Sequence, residues 1–132
     1  MGRHWAEGTT VLAVEDDLLT AKLIRARLEL EGLRVLEARN GREGLDILKS
    51  EVVHLISTDL MMPAMDGYRL ILEIRELPPP SGRLPILVLS VNSAEDDIVR
   101  CLSAGADDYV LKPLSPQVYI EKLWRLYLRS RS

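Results

Sequence analysis

Four separate stretches of the chain end an apolar run on a polar side chain. VLAV (11–14) runs into Glu15, Asp16 and Asp17; the run through Leu55 and Ile56 reaches Asp59; ILVL (86–89) is followed by Ser90; YVL (109–111) is followed by Lys112. Carboxylates packed together repel by roughly 1–4 kcal/mol per pair, depending on the effective dielectric. A site built from Asp16 and Asp59 therefore needs a counterion. Lys112 can offset one charge, but a hard divalent cation suits an all-oxygen site better, and Mg²⁺ characteristically takes one or two carboxylates with waters and phosphate oxygens. Such a site positions an incoming phosphoryl group and neutralises its developing charge. A carboxylate can be the nucleophile. Asp59 is the best placed, since it follows a buried strand and can face a crevice. Ser90 can donate a hydrogen bond to phosphoryl oxygens and Lys112 can pair with them.

These residues converge only if the elements that carry them do. VLAV (11–14), RVLEA (34–38), HLIS (54–57), ILVL (86–89) and YVLK (109–112) read as strands. Between them apolar residues recur at helical spacing: Leu19, Leu23, Ala26 and Leu30; Leu45 and Leu48; Tyr68, Leu72 and Arg75 with Ile71 and Ile74 beside them; Ile98 and Leu102; Leu123 and Leu126. Five βα units in a row predict an α/β fold: a five-stranded parallel sheet of order 2-1-3-4-5, doubly wound with helices on both faces, of the flavodoxin-like kind. Near-continuous apolar strands fit burial on both faces. Ligands in such sheets bind outside the carboxyl ends of the strands where strand order reverses, here between the first and third strands. Asp16 and Asp59 would then come from strands ~4.8 Å apart.

The punctuation agrees. Asn40 with Glu43 has the form of a capping box, and Asp17 is suited to cap the first helix. Ser93 precedes the acids Glu95 and Asp96, and Ser115-Pro116 sets a cap residue before a first-turn proline. Gly32 and Gly105 sit where helices should stop, and PPPSGRLP (78–85) reads as a surface loop. The 132 residues suffice for one core. Residues 10–128 are taken as the domain, 1–9 as a disordered or extraneous leader without periodicity, and 129–132 as a tail or the start of a linker.

A net charge of −3 gives no electrostatic case for nucleic acid. The single Cys101 excludes an internal disulfide, and with His4 and His54 it is too little for a structural zinc site. No apolar stretch approaches a membrane span and no signal segment is visible, so a cytoplasmic location is expected.

The set VEDD (14–17), DLMMPAMDG (59–67), LS (89–90) and DDYVLKP (107–113) resembles the receiver domain of two-component response regulators, in residue type, order and spacing together. The resemblance covers about residues 10–128. It implies that Asp59 is the phosphoacceptor, and that Asp16, Asp59 and the backbone carbonyl of Met61 hold Mg²⁺ with Glu15 acting indirectly. Ser90 and Tyr109 would be the switch pair, Lys112 the phosphate-pairing lysine, and Lys112-Pro113 a cis peptide. It also implies a histidine kinase or histidine phosphotransfer protein as donor. The output would be a signal, not turnover, read from the surface of the fourth helix, fifth strand and fifth helix.

Three departures from the family pattern stand out. Val91 follows the switch serine where a small residue is usual, and its β-branched side chain is expected to narrow access to Asp59. Thr58 and Leu114 are milder departures. The last helix is apolar on more than one face, so Trp124 with Val118 and Ile98 is expected to form an exposed patch for a partner or a second copy. Two rival readings are a pseudo-receiver interaction module and a small aspartyl phosphohydrolase. The latter lacks a second acid two residues after Asp59, where Met61 stands.

Overall fold

The chain order of elements is β1 (Thr10–Val14), α1 (Leu18–Leu30), β2 (Arg34–Ala38), α2 (Gly41–Ser50), β3 (Leu55–Asp59), α3 (Gly67–Arg75), β4 (Ile86–Ser90), α4 (Glu95–Ala104), β5 (Asp108–Leu111) and α5 (Pro116–Ser130). This is a computed structural model, which describes residues 2–62, 64–91 and 93–131; Pro63 of the DLMMPAMDG stretch lies outside them. The strands form one parallel sheet of order β2-β1-β3-β4-β5. Alternate strand residues feed two cores. Leu12, Val14, Ile56, Ile86 and Val88 face α2, α3 and α4, while Val11, Ala13, Leu55, Leu87 and Leu89 face α1 and α5.

The caps explain where the helices begin. Asp17 accepts from the Thr20 N–H at 2.9 Å, Asn40 from Glu43 at 3.0 Å, Asp66 from Arg69 at 2.9 Å and Ser115 from Val118 at 3.4 Å. The Glu43 carboxylate returns a bond to the N–H of Arg39, one residue earlier than a capping box requires. α4 is the exception: Ala94, not Ser93, occupies its N-cap and supplies no side-chain oxygen.

Several helical faces differ from the expectation. α1 turns Ala21, Ile24 and Leu28 to the sheet and leaves Leu19, Leu23 and Leu30 at 74%, 60% and 76% exposure. The helix carries two apolar stripes, and periodicity alone cannot choose between them. The flanks of the buried stripe carry ion pairs: Arg25 reaches Glu37 of β2 at 2.9 Å, and Glu31, at the C-cap, meets Arg3 on the side of α5. On α3, Leu72 is exposed while Tyr68, Leu70, Ile71 and Ile74 are buried; on α4, Leu102 is exposed and Cys101 is buried instead.

The amino-terminal leader, set outside the fold on the sequence, packs against it. Arg3 grips Glu31 through two bonds of 2.8 and 2.7 Å, and the Trp5 indole N–H donates to the same carboxylate at 2.9 Å. The Trp5 ring lies 5.0 Å from both Trp124 and Tyr127, and the Ala6 N–H donates to the Tyr127 hydroxyl. A strap held by isolated anchors has no period to detect. The same contacts remove the patch expected on α5. Trp124 is enclosed by Trp5 and Tyr127, and Ile98 packs into the core on the other side of the sheet; Val118 alone of the three is exposed.

A second anchor lies on the other face of the sheet, also at the amino ends of the strands. Arg75 donates to the carbonyls of Leu84 and Gly105 and to Asp107, whose carboxylate also accepts from the Ile86 N–H. Gly105 ends α4 at φ +123°, where a side chain would be strained and would meet Arg75.

The Arg3 guanidinium and Trp5 hold the Glu31 carboxyl down at about 2, against burial. A depressed acid contributes stability above its unfolded pKa, and that contribution is lost as pH falls through the folded value. Arg3→Ala is therefore expected to destabilise the protein by about 1–2 kcal/mol at pH 7. The gap from wild type should close as pH falls from the ordinary carboxylate range toward 2, as read by urea unfolding across that window.

Candidate functional site

Register delivers the polar residues to one crevice. Val14 pairs with Thr58, so Glu15 stands level with Asp59; Asp59 pairs with Leu89, so Ser90 lies one step beyond; Ser90 pairs with Leu111, so Lys112 follows in turn. The Lys112 N–H donates to the Ser90 carbonyl and the Leu60 N–H to the Leu89 carbonyl, which carries the pairing past the strand ends.

The carboxylates of Glu15, Asp16 and Asp59 each place an oxygen within 4.8 Å of the others. Glu15 and Asp59 are buried and Asp16 is exposed. The Lys112 ammonium sits 2.9 Å from Glu15 Oε1 and 3.4 Å from Asp59 Oδ2, with its side chain only 13% exposed. Asp59 Oδ1 accepts from the Leu60 N–H at 2.8 Å, and Glu15 Oε2 from the Asp17 N–H at 3.2 Å. Burial pushes the Glu15 carboxyl up to about 7, against the pull of Lys112 and with the help of Asp59. Asp59 is raised by burial too, again opposed by Lys112. Burial works to lower Lys112, but its bond to Glu15 and the charge of Asp59 outweigh it and hold the ammonium above its usual value. One lysine thus leaves three carboxylates under-compensated, and a hard divalent cation fits the all-oxygen donor set.

The loop that follows Asp59 returns at once. The Gly67 N–H donates to the Leu60 carbonyl at 2.8 Å, and a Cβ on Gly67 would meet the Asp59 carbonyl at 2.8 Å, so only glycine allows α3 to start so close. Ala64 adopts φ +69° within this loop. Met61 is exposed there, while Met62 and Met65 are buried. Lys112-Pro113 is cis.

Ser90 is fully buried at the end of β4, and Tyr109 is 8% exposed on β5. Burial raises the Tyr109 phenol, and its hydrogen bond with Ser90 works the other way. Ile98, Val118 and Trp124 are not brought together. Leu18 and Leu19 at the start of α1, Met61 just past β3 and Val91 just past β4 are all more than half exposed. The sequence pointed to Met61 and Val91 for other reasons and missed the leucines, whose adjacency to the Glu15–Asp17 acids was the available signal.

The family model described as the response regulator receiver domain matches residues 11–123. The chain belongs to that family. Among its relatives, an uncharacterized 14.6 kDa protein of Leptolyngbya boryana is 41% identical over 106 residues, 80% of each chain. The probable transcriptional regulator ycf27 of Porphyridium aerugineum is 36% identical over 107 residues, 81% of this chain and 43% of that one. The chain spans less than half the length of the ycf27 regulators it matches. Among solved structures, the receiver domain of a sensor histidine kinase from Pseudomonas aeruginosa superposes at TM-score 0.82. It is 31% identical over 91% of this chain and 98% of its own, and carries a magnesium ion coordinated in its active site cleft. A putative response regulator from Chloroflexus aurantiacus gives TM-score 0.88 at 29% identity, covering 93% of this receiver and all of the other. The receiver has no helix, among its described residues, long and apolar enough to cross a membrane.

The crowded carboxylates generate a measurement. A cation that binds the folded state at ten times its dissociation constant stabilises by about 1.4 kcal/mol. Saturating Mg²⁺ is expected to raise the melting temperature by several degrees, and Asp16→Asn to abolish most of that rise, as followed by calorimetry.

Proposed function

We propose that this receiver accepts a phosphoryl group on Asp59 from a phosphohistidine of a histidine kinase or histidine phosphotransfer protein. The observation that carries the reading is the placement of a buried, under-compensated Asp59 between Lys112 and two further carboxylates. In the transfer, an Asp59 carboxylate oxygen attacks phosphorus, the new P–O bond forms as the P–N bond breaks, and the donor imidazole leaves and takes up a proton. Lys112 lies where it can turn from the carboxylates to the incoming phosphoryl oxygens, and the Ser90 hydroxyl is placed to donate to them. Asp16, Asp59 and the Met61 carbonyl, with Glu15 in support, would hold Mg²⁺, which when bound neutralises charge on the carboxylates and the phosphoryl group. Phosphorylation then adds charge at a strand end, which biases the Ser90–Tyr109 pair and the surface of α4, β5 and α5 toward a partner or an attached output. The product is a changed surface and not a released metabolite, so we read the domain as a cytoplasmic signalling element that assists its own phosphorylation and hydrolysis.

The exposed Leu18, Leu19, Met61 and Val91 support a macromolecular donor. Small phosphodonors have no use for an apolar collar, whereas a docked protein buries it and excludes water from the acidic centre. Val91 on this rim also narrows the entrance to Asp59.

Acetyl phosphate with Mg²⁺ is expected to add one phosphoryl group, seen by intact-protein mass spectrometry, and Asp59→Asn to take up none. Labelling that persists in that variant would refute the assignment, and rapid continuous turnover of phosphomonoesters would favour a hydrolase. Leu19→Glu should slow transfer from a phosphohistidine protein by about tenfold or more while acetyl phosphate still labels Asp59. Val91→Ala should speed both gain and loss of the phosphoryl group; unchanged rates of both would remove its gating role.

A further inference from the structure

α4 grips the body of the protein more weakly than its neighbours. Of Glu95–Ala104 only Cys101 is buried, whereas α3 and α5 each bury five residues. Its N-cap residue, Ala94, has no side-chain oxygen, although the acids Glu95, Asp96 and Asp97 of its first turn favour the helix N-terminus. Elements that move in switching are drawn from such weakly held segments.

One side chain of another element compensates. Tyr68, in the first turn of α3 and 7% exposed, places its hydroxyl 3.2 Å from the Asp97 carbonyl oxygen and 3.2 Å from Asp97 Oδ1. The Arg100 guanidinium carbon lies 3.7 Å from the centroid of its ring. Asp97 and Arg100 are three residues apart on one helical face, so α4 straddles the ring: a hydroxyl bond on one side and a cation–π contact on the other. Burial, together with the adjacent Asp97, holds the phenol protonated far above the ordinary range, so it remains a donor. Tyr68, Cys101 and Tyr109 are buried in the same core cluster.

The position of Tyr68 is set by the loop that leaves Asp59. Its neighbour Gly67 is bonded to the Leu60 carbonyl and packed on the Asp59 backbone, so the turn from Asp59 to Tyr68 is closed on itself and a shift at one end is delivered to the other. We propose that Tyr68 is a positioning residue that couples the Asp59 loop to α4, a second mechanical link running beside the Ser90–Tyr109 pair. This rests on the receiver reading above. α4 is held by Tyr68 in the arrangement in which Tyr109 is buried, and breaking the bond releases it to others. A ligand whose competent state is only partly populated binds more weakly by that fraction.

The test uses beryllofluoride with Mg²⁺ as the phosphoryl mimic, on the whole chain. Tyr68→Phe keeps the ring and the Arg100 contact and removes only the hydroxyl. It is expected to weaken beryllofluoride binding about three- to tenfold and to speed amide hydrogen exchange in α4 while exchange in the sheet is unchanged. Asp97→Ala removes only the Oδ1 contact and leaves the Asp97 carbonyl, so its loss through Tyr68 should be smaller, and the two losses should combine less than multiplicatively in the double variant. Wild-type affinity and α4 exchange in Tyr68→Phe, or losses that multiply in the double variant, would overturn the coupling and leave the receiver reading standing. If wild type itself does not take up beryllofluoride, the receiver reading falls and the coupling falls with it.

Discussion

Three carboxylates gathered around a single ammonium govern what the rest of this molecule must do. Glu15, Asp16 and Asp59 bring three carboxyl groups within 4.8 Å, and Lys112 supplies one positive charge, 2.9 Å from Glu15 and 3.4 Å from Asp59. Two of the acids are buried, so water cannot relieve the repulsion. Such a cluster is costly in the free protein, and its charge balance improves only when a cation enters. A site in that state responds strongly to added charge, which is the property a phosphorylation sensor requires.

The fold meets that cost by making the site a consequence of strand register. Glu15, Asp16, Asp59, Ser90 and Lys112 each sit at, or one or two residues beyond, the end of a strand, β1, β3 and β4 are wholly buried, and the parallel pairing from Val14–Thr58 to Ser90–Leu111 leaves little room for one to slip without the others. A one-residue slip would also exchange the two core faces, turning the set that includes Leu12, Ile56 and Val88 toward α1 and α5. The strength of the core therefore stabilises the electrostatic strain at its rim.

This division explains what could be read from the sequence. Strand ends are legible because the apolar run and the polar residue after it are contiguous; the sheet order, the acids, Lys112 and the caps at Asp17, Asn40 and Ser115 were all accessible in this way. Helix orientation was not. α1 offers two apolar stripes, and the larger one, through Leu19, Leu23 and Leu30, faces outward, while Ala21, Ile24 and Leu28 pack on the sheet with ion pairs to Glu37 and Arg3 beside them. The strap was illegible for a related reason: Arg3 and Trp5 act as single anchors, and the apolar excess of α5 that resembled a docking patch is what Trp5 covers. Contacts between distant segments leave no period in either partner.

The two faces of the sheet are held with unequal force, and the inequality has a direction. On one face α1 and α5 are tied together through Arg3, Glu31 and Glu121, and the Trp5, Trp124 and Tyr127 rings stack over the end of α5. On the other, α4 rests on Cys101, a half-buried Ile98, its straddle of Tyr68 and the Arg75 bonds to Gly105 at its C-cap. On the proposed reading, charge added at Asp59 acts on both faces through the same strand end and displaces first what is weakly held, so the response would be channelled to α4. Because α4 begins a few residues past β4, at an N-cap, Ala94, with no side-chain oxygen, the lightly buried helix starts next to Ser90, the strand end nearest it.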